Sequence, residues 1–307
     1  MPLDLTDVAL FARVCDTRNL SAAGREFGLS PAASSARIAQ LERNLGARLL
    51  HRTTRQITLT QDGEVFLEQA HTLLQAADLA ASSVGRASTQ PEGLLRVAAS
   101  VSFGRQHISP AIAPFLRQYP GIRLDLRLSD RVIDLVSNGI DVAVRIGALK
   151  DSALVAKKLA PNHLVICAAP SYLAEHGTPQ RPQDLAQHQC LVLNTSHHWR
   201  FIVKGQEPGT VSVRVGGRLQ SDNGEVVRDA AINGLGITLN STWAVAPYLK
   251  SGQLVALLND FPIADEAWVW AVYLNRQFLP PKTQVFIDYF STRFGPTPYW
   301  DEGLDPI

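Results

Sequence analysis

The sequence predicts an α+β multidomain chain: an N-terminal winged helix-turn-helix, a long helix, and two α/β lobes. Three observations carry that reading. Residues 4–59 hold short apolar periods of three and four, broken by turn signals and closed by strand-like alternation. From Thr60 to about Ser88 there is no proline, and apolar residues recur at heptad spacing. From residue 93 onward, short apolar strand runs alternate with helical patterns, an order that requires crossover connections and a largely parallel sheet.

In the first zone, Val8, Phe11, Ala12 and Cys15 form one face of an amphipathic helix. Ser21 is the expected N-cap of a second, short helix, and Gly28 supplies the positive φ that ends it. Ser30 caps a third helix with Pro31 at its first position, and Gly46 closes it. Ile57 and Leu59 then alternate behind Thr53 and Thr54, which reads as a small hairpin or wing. A domain over 1–59 follows.

In the second zone, 60–88, Phe66, Ala70, Leu73, Ala77, Ala80 and Val84 make a heptad seam. A helix of this length, roughly 40 Å at 1.5 Å per residue, cannot bury itself, so the seam is expected to pair with the same helix of a second copy. Residues 82–93 are small, polar and rich in Gly and Pro, a linker.

The third zone, 89–300, contains strands at 94–99, 124–128 and 142–146 with helices around 108–118 and 131–138. A second set begins at 164–170 and 190–194, with a helix from about Gly224 to Asn233 and a strand at 236–240. The run 267–274 and a helix near 282–294 follow. Lobe I therefore takes about 93–160 and 268–295, and lobe II about 161–267. The Pro-rich, acidic tail over 296–307 is expected to be mobile, with 301–307 as a flexible end.

Composition narrows the class. At 307 residues the chain is about twice a typical domain, and 46% hydrophobic with 19% charged residues excludes disorder. No apolar run of about 18 residues is free of charges, and the N-terminus lacks a basic lead-in, so neither membrane insertion nor export is expected and the location read is cytoplasmic. Cys15, Cys167 and Cys190 form no CxxC pair and read as reduced, buried thiols. Residues 1–60 hold eight arginines against five carboxylates, and no lysine occurs before Lys150. Guanidinium groups suit phosphate and base-edge contacts.

The third helix can be read face by face. Ser34, Ile38, Leu41 and Leu45 lie within about 60° of one another at 100° per residue and pack inward. The opposite face shows Ala32, Ala33, Ala36, Gln40 and Arg43, flanked by Ser35 and Arg37. A slim face with a few polar tips fits the major groove, where alanines meet thymine methyls and Gln40 and Ser35 reach base edges.

The run from Ser21 to Gly63 resembles the signature of LysR-type transcriptional regulators. The matching positions are Ala22-Ala23, Leu29-Ser30-Pro31, Ser35, Ile38, Leu41-Glu42, Leu45-Gly46, Leu49, Arg52-Thr53-Thr54-Arg55, Leu59-Thr60 and Gly63. The flanking elements follow the family's order across nearly the whole chain. The resemblance implies a winged helix-turn-helix that binds double-stranded DNA, a dimerising linker helix, and a two-lobed domain resembling periplasmic binding proteins that holds a small-molecule effector. It further implies a homotetramer built as a dimer of dimers, with RNA polymerase as a possible further partner. Ser30, Arg52, Thr53 and Arg55 then join the helix face as DNA contacts, with Arg52 and Arg55 toward phosphate or the minor groove. The position of Ala36 usually carries an arginine in this family, and here Arg37 stands beside it.

In the lobes, ligands of α/β sheets bind at the carboxyl ends of strands. Ser100 and Ser102, with Phe103 beside them, sit at the end of the first such strand and by resemblance are effector contacts. Equivalent edges supply Ser129, Arg145 and Ile146, Thr195 to Trp199, and Ser221, Asp222 and Asn223. Arg145 or Arg200 could pair with a carboxylate, which points to an organic acid. No catalytic residue, metal or cofactor is expected: Gly234-Leu235-Gly236 leads from helix into strand, there is no GxxxxGK[ST], GxSxG or HExxH, and His188, Cys190, His197 and His198 fit no standard zinc spacing.

Overall fold

The computed structural model describes residues 3–52, 57–84, 91–131, 133–148, 154–203, 209–274 and 279–304. Three helices open the chain: α1 (Leu5–Thr17), α2 (Leu20–Glu26) and α3 (Pro31–Leu45). Asp4 caps α1 by accepting from the Thr6 amide. The cap of α2 is Asn19, which accepts from Ala22 N, and not Ser21. Asn19 wins because the left-handed Arg18 (φ 50°) turns the chain one step earlier and leaves Asn19 extended. Ser30 caps α3 by accepting from Ala33 N, Pro31 stands in its first turn, and Gly46 (φ 66°) ends it. Val8, Phe11, Val14, Ala23, Ile38 and Leu41 fuse the three helices into one core.

Strands β1 (Leu50–Arg52) and β2 (Ile57–Leu59) pair antiparallel as the wing. Glu42 anchors it to α3: one carboxylate oxygen accepts from the amides of Leu49 (2.9 Å) and Leu50 (3.1 Å). Helix α4 (Gln61–Val84) starts over this junction, where Thr60 Oγ1 accepts from Gly63 N at 2.9 Å. Gly63 is required there, because a Cβ would meet the Leu49 carbonyl oxygen at 2.1 Å. Further along α4, the buried His71 donates from Nδ1 to the Ser137 carbonyl at 3.0 Å and lies against Gly139.

The heptad seam of α4 is only partly available to a partner. Phe66 packs on Phe11, with ring centroids 5.4 Å apart, and Ala70 is 1% exposed in the N-terminal core. Leu73 and Ala80 are exposed and Ala77 is half-buried; the side chain of Val84 lies outside the described residues. Beside them, Val65 is 63% exposed. The first two seam positions therefore serve the chain's own core.

The first of two five-stranded sheets has the order β4-β3-β5-β14-β6. It comprises β3 (Gly93–Ala99), β4 (Ile122–Leu128), β5 (Val142–Gly147), β6 (Val155–Pro161) and β14 (Trp268–Tyr273). β3 runs parallel to β4 and β5, while β14 is antiparallel to β5 and β6, so the sheet is mixed. Helix α5 (Val101–Phe103) continues through a π turn into α6 (Ser109–Gln118). No helix forms around 131–138 among the described residues. Asp134 Oδ1 accepts from Ser137 N and Oγ, and Asn138 donates to the Asp134 carbonyl, so side chains satisfy the backbone in a turn ending at Gly139 (φ 61°).

The second sheet has the order β11-β8-β12-β7-β13. Its strands are β7 (Leu164–Ala168), β8 (Cys190–Leu193), β11 (Gln220–Ser221), β12 (Ile237–Ser241) and β13 (Val255–Leu257). β8 is parallel to β11 and β12, and β7 antiparallel to β12 and β13. A separate hairpin joins β9 (His198–Ile202) and β10 (Thr210–Arg214). Helices α7 (Pro170–His176), α8 (Gly224–Ile232) and α9 (Thr242–Lys250) belong to this part, and α10 (Pro281–Phe294) returns to the first sheet. There the Lys282 ammonium donates to the Leu94 carbonyl at 2.8 Å.

Residues 296–304 of the tail pack against the domain, contrary to the expectation of mobility, and 305–307 lie outside the described residues. Trp300 is 4% exposed and rings with Phe103, His107 and Phe294. Tyr299 OH reaches His107 Nδ1 at 2.6 Å, and Asp301 accepts from His163 Nδ1 at 2.8 Å. Two aromatics in a Pro-rich run carry enough apolar surface to hold a chain end down.

The three thiols are buried or half-buried, and burial pushes each up to about 12. At pH 8 only about one in 10⁴ would be thiolate. A thiol-reactive disulfide reagent is expected to find no fast-reacting group in the folded chain and three after denaturation; a rapid stoichiometric phase on native protein would contradict this.

Candidate functional site

The N-terminal site is a helix face on a fixed core. Ser34, Ile38 and Leu41 are buried, which turns Ala32, Ala36, Gln40 and Arg43 to solvent, with Ala33 and Ser35 half-exposed beside them. The polar tips are organised in a chain: Arg43 donates to Gln40 Oε1 (2.6 Å), and Gln40 Nε2 donates to Asn44 Oδ1 (2.8 Å). Arg37 is drawn elsewhere. Its guanidinium pairs with Asp7 Oδ1 at 3.2 Å, bracing α3 to α1. Burial raises the Asp7 carboxyl and Arg37 opposes that shift. Arg37 is therefore a brace on the inner flank, which the helical wheel alone could not distinguish from a groove-facing arginine. Ser30 is used by its own helix as a cap. Arg52 closes β1, its side chain outside the described residues, as are Thr53 and Arg55 entirely.

The second site lies where the two sheets' strand ends face each other. Ser100 precedes α5, and Ser102 is 4% exposed with an Oγ that has no hydrogen-bond partner among the described residues. Ser129 follows β4; its Oγ accepts from Arg131 N at 3.1 Å. Ser221 and Asn223 flank the exposed Asp222 before α8. Ser221 Oγ accepts from Asn223 N, and Asn223 Oδ1 accepts from Glu225 N and Val226 N. Arg145 and Ile146 lie half-buried on β5, opposite Trp270 and Val269 of β14. Thr195 is exposed in the turn after β8.

Two expected contacts belong to cores instead. Trp199 is 2% exposed among Tyr172, Phe201 and Val213, because β9 alternates its faces and turns Trp199 inward. Phe103 is fully buried in the aromatic cluster with His107, Trp243 and Phe294. Arg200, read as a carboxylate partner, forms a salt bridge with Asp265.

The structure adds residues that the sequence reading missed. Asp130 bridges the two sheets: one oxygen accepts from Val101 N (2.9 Å), the other from Asn223 Nδ2 (2.8 Å). Beside it, Glu225 of α8 accepts from Arg105 and Gln106, each at 3.2 Å. The donors Val101 N–H and Asn223 Nδ2 are thus held by the chain's own carboxylate. Asp130 follows the candidate Ser129 directly, and a carboxylate at a strand end before a turn was the available signal.

Among the described residues no group of His, Cys, Asp and Glu is arranged to hold a metal ion, and no helix is long and apolar enough to cross a membrane.

Comparison with known proteins identifies the family of both parts of the chain. Residues 5–64 match the model of the bacterial regulatory helix-turn-helix protein, lysR family, and residues 88–295 match the LysR substrate binding domain. The chain is 36% identical over 298 residues to the HTH-type transcriptional regulator DmlR of Escherichia coli, covering 96% of this chain and 95% of that protein. It is 36% identical over 288 residues to the transcriptional activator TtdR of Escherichia coli, covering 93% and 92%. The structure of CrgA, a LysR-type transcriptional regulator from Neisseria meningitidis, superposes with a TM-score of 0.60 at 30% identity over 96% of this chain and 100% of that one. The helix-turn-helix with its wing and the two-sheet domain are thus the parts of one DNA-binding transcriptional regulator with an effector-binding domain, and the chain belongs to the LysR family.

Proposed function

We propose that the chain acts in the cytoplasm as a dimer of dimers, reads two-fold-related DNA half-sites through α3 and the wing, and responds to a small organic acid held between its two lobes. The domains are 1–59 for DNA binding, 60–88 for pairing, and 89–300 for the effector, with lobe I at about 93–160 and 268–295 and lobe II at about 161–267. RNA polymerase is the further partner of such a regulator, and no catalytic step is assigned. The observation that carries the reading is the solvent face of α3. It pairs small side chains with Gln40 and Arg43, over a buried Ser34-Ile38-Leu41 stripe that leaves no other rotation of the helix.

Pairing uses Leu73, Ala77, Ala80 and the exposed Val65 of α4. The effector is assigned to the Ser100, Ser102, Ser129, Arg145 and Asn223 region. An acid would compete with Asp130 for Val101 N–H and Asn223 Nδ2, exchanging an internal carboxylate for its own and releasing one tie between the lobes.

Selection of duplex DNA from a random pool by the purified chain, at two salt concentrations, tests this. A two-fold-related consensus is expected, with affinity falling steeply with salt by about 0.9 log units per phosphate contact for each tenfold rise. Gln40→Ala should relax preference at one position per half-site while keeping the salt slope. Recovery of no consensus overturns the reading.

A further inference from the structure

The chain does not end with α10. Gly295 (φ 68°) turns it back, and both lobes hold the segment that follows. On the lobe I side, the Trp300 ring meets His107 at 4.7 Å between centroids, Phe294 at 5.3 Å and Phe103 at 5.9 Å. On the lobe II side, the ammonium of Lys250, the last residue of α9, donates to the Trp300 carbonyl at 3.4 Å. His163, beside the first chain crossing between the lobes, donates to Asp301 at 2.8 Å. The segment closes its own turn, with Asp301 N donating to the Pro298 carbonyl at 2.9 Å.

His107 joins the two sides. It stands in the π turn of lobe I, yet its Nε2 donates to the carbonyl of Trp243 in α9 of lobe II at 3.1 Å. A neutral imidazole donates from one nitrogen and accepts at the other, so this bond requires the proton on Nε2. Tyr299 OH, 2.6 Å from Nδ1, is the donor that fixes that tautomer. The tail thus governs a contact between the lobes that it does not itself make. Phe103 packs edge-on against the Trp243 ring at 5.2 Å along the same seam, and Trp300 covers Phe103.

We propose that residues 296–304 are a strap across the two lobes, a conformational device that holds them in one setting and resists their rotation. The lobes are joined covalently only where the chain crosses between them, near 161 and near 267, and two such crossings leave rotation about the line between them open. The crossings are themselves tied, Asn162 N donating to the Ala267 carbonyl at 3.0 Å. A tail fastened at His163 alone would add nothing to that hinge. Helix α9 leads away from it: Thr242 N donates to the His163 carbonyl, and Lys250 lies eight residues further along. At 1.5 Å per residue the second fastening is about 12 Å from the first, which gives the strap leverage against rotation. None of its residues is among the candidate effector contacts, so it acts beside the Asp130 tie at the strand ends and not through it. The strap rests on the two-lobed reading of the domain, and its test requires neither operator nor effector, so its failure is distinct from failure of the organic-acid reading.

The test measures the distance between the lobes in the full-length chain. Spin labels are placed on Arg117→Cys in α6 and Glu175→Cys in α7, both exposed positions, while the native thiols are buried or half-buried. Labelled chain is diluted with unlabelled chain, so that pulsed electron paramagnetic resonance reads distances within one molecule. Two variants cut the strap. Tyr299→Phe with His163→Ala removes one hydroxyl and one exposed ring and leaves Trp300 seated; a chain ending at Gly295 removes the strap outright. The starting chain should give a single narrow distribution. In the double variant its mean or width should change by more than about 2 Å, and in the shortened chain by more. Thermal unfolding of each variant separates loosened lobes from lost fold, and the double variant decides where the shortened chain does not fold. An unchanged distribution in the double variant, whatever its Tm, makes the tail a piece of the core and overturns the proposal, as does an unchanged distribution in a folded shortened chain or a broad one at the outset.

Discussion

Gly24→Ala is expected to abolish operator binding while leaving the two-sheet domain folded. Gly24 lies in α2 where that helix crosses α3, and a Cβ there would stand 2.0 Å from Ser34 Oγ and 3.0 Å from Ser34 Cβ. Ser34 cannot give way, since it is fully buried and its hydroxyl donates to the Ser30 carbonyl at 2.9 Å. The added methyl must push the two helices apart, at about 1–3 kcal/mol for an overpacked core. Because α3 carries the DNA-reading face, a small rotation also misplaces Gln40 and Arg43. The compensating change is Ser34→Gly, which removes both clashing atoms and costs about 1 kcal/mol of helix propensity. Operator affinity measured for the wild type, Gly24→Ala and the double variant should read high, lost and largely restored. Retained affinity in Gly24→Ala, with an unchanged unfolding midpoint, would show that the helix contact is looser than the structure has it.

The helix-turn-helix was legible because its signals are local. Ser30-Pro31 and Gly46 mark the ends of α3, and the apolar stripe of Ser34, Ile38 and Leu41 fixes its inner face. The alternation of strands and helices in the lobes was legible for a similar reason, since apolar runs and helical periods alternate along the chain. The largely parallel sheet expected from it is mixed, because β7 and β14 enter from the other lobe and run antiparallel to their neighbours. What escaped depends on contacts distant in sequence. Nothing near Arg37 reveals that Asp7, thirty residues earlier, holds its guanidinium, and nothing near Asp130 reveals Asn223. Trp199 read as a ligand contact because it follows a strand end, but the hairpin that turns it inward needs Val213 on a strand more than ten residues away. The tail was misread because proline and acidic residues dominate its composition, while its stability comes from Tyr299 and Trp300 meeting His107 and Phe103 almost two hundred residues upstream. The candidate effector site was therefore visible as a set of strand ends and not as a set of partners.

The aromatic cluster that holds this tail makes stability depend on pH in a window set by one side chain. His107 is 6% exposed, and its Nε2 reaches the Trp243 carbonyl at 3.1 Å. A carbonyl oxygen only accepts, so Nε2 carries the proton and Nδ1 accepts from Tyr299 OH. Burial lowers the imidazole from its usual 6.5 to about 4, the Trp243 carbonyl opposing and Arg293 adding to the shift. Burial likewise raises the Tyr299 hydroxyl, which keeps it a donor. The native state thus keeps His107 neutral while the unfolded chain protonates it below pH 6.5. Stability from this group is fully present above pH 6.5, declines as pH falls, and stops declining near pH 4, a loss of about 3 kcal/mol at 1.36 kcal/mol per unit. His107→Gln preserves a donor and an acceptor without a titrating ring. Urea unfolding at pH 7.5, 6, 5 and 4.5 should show the wild type losing stability faster than the variant, so that the difference between them narrows toward low pH. A constant difference over that window would mean that His107 titrates in the folded chain as it does in water, and that the cluster does not seal it.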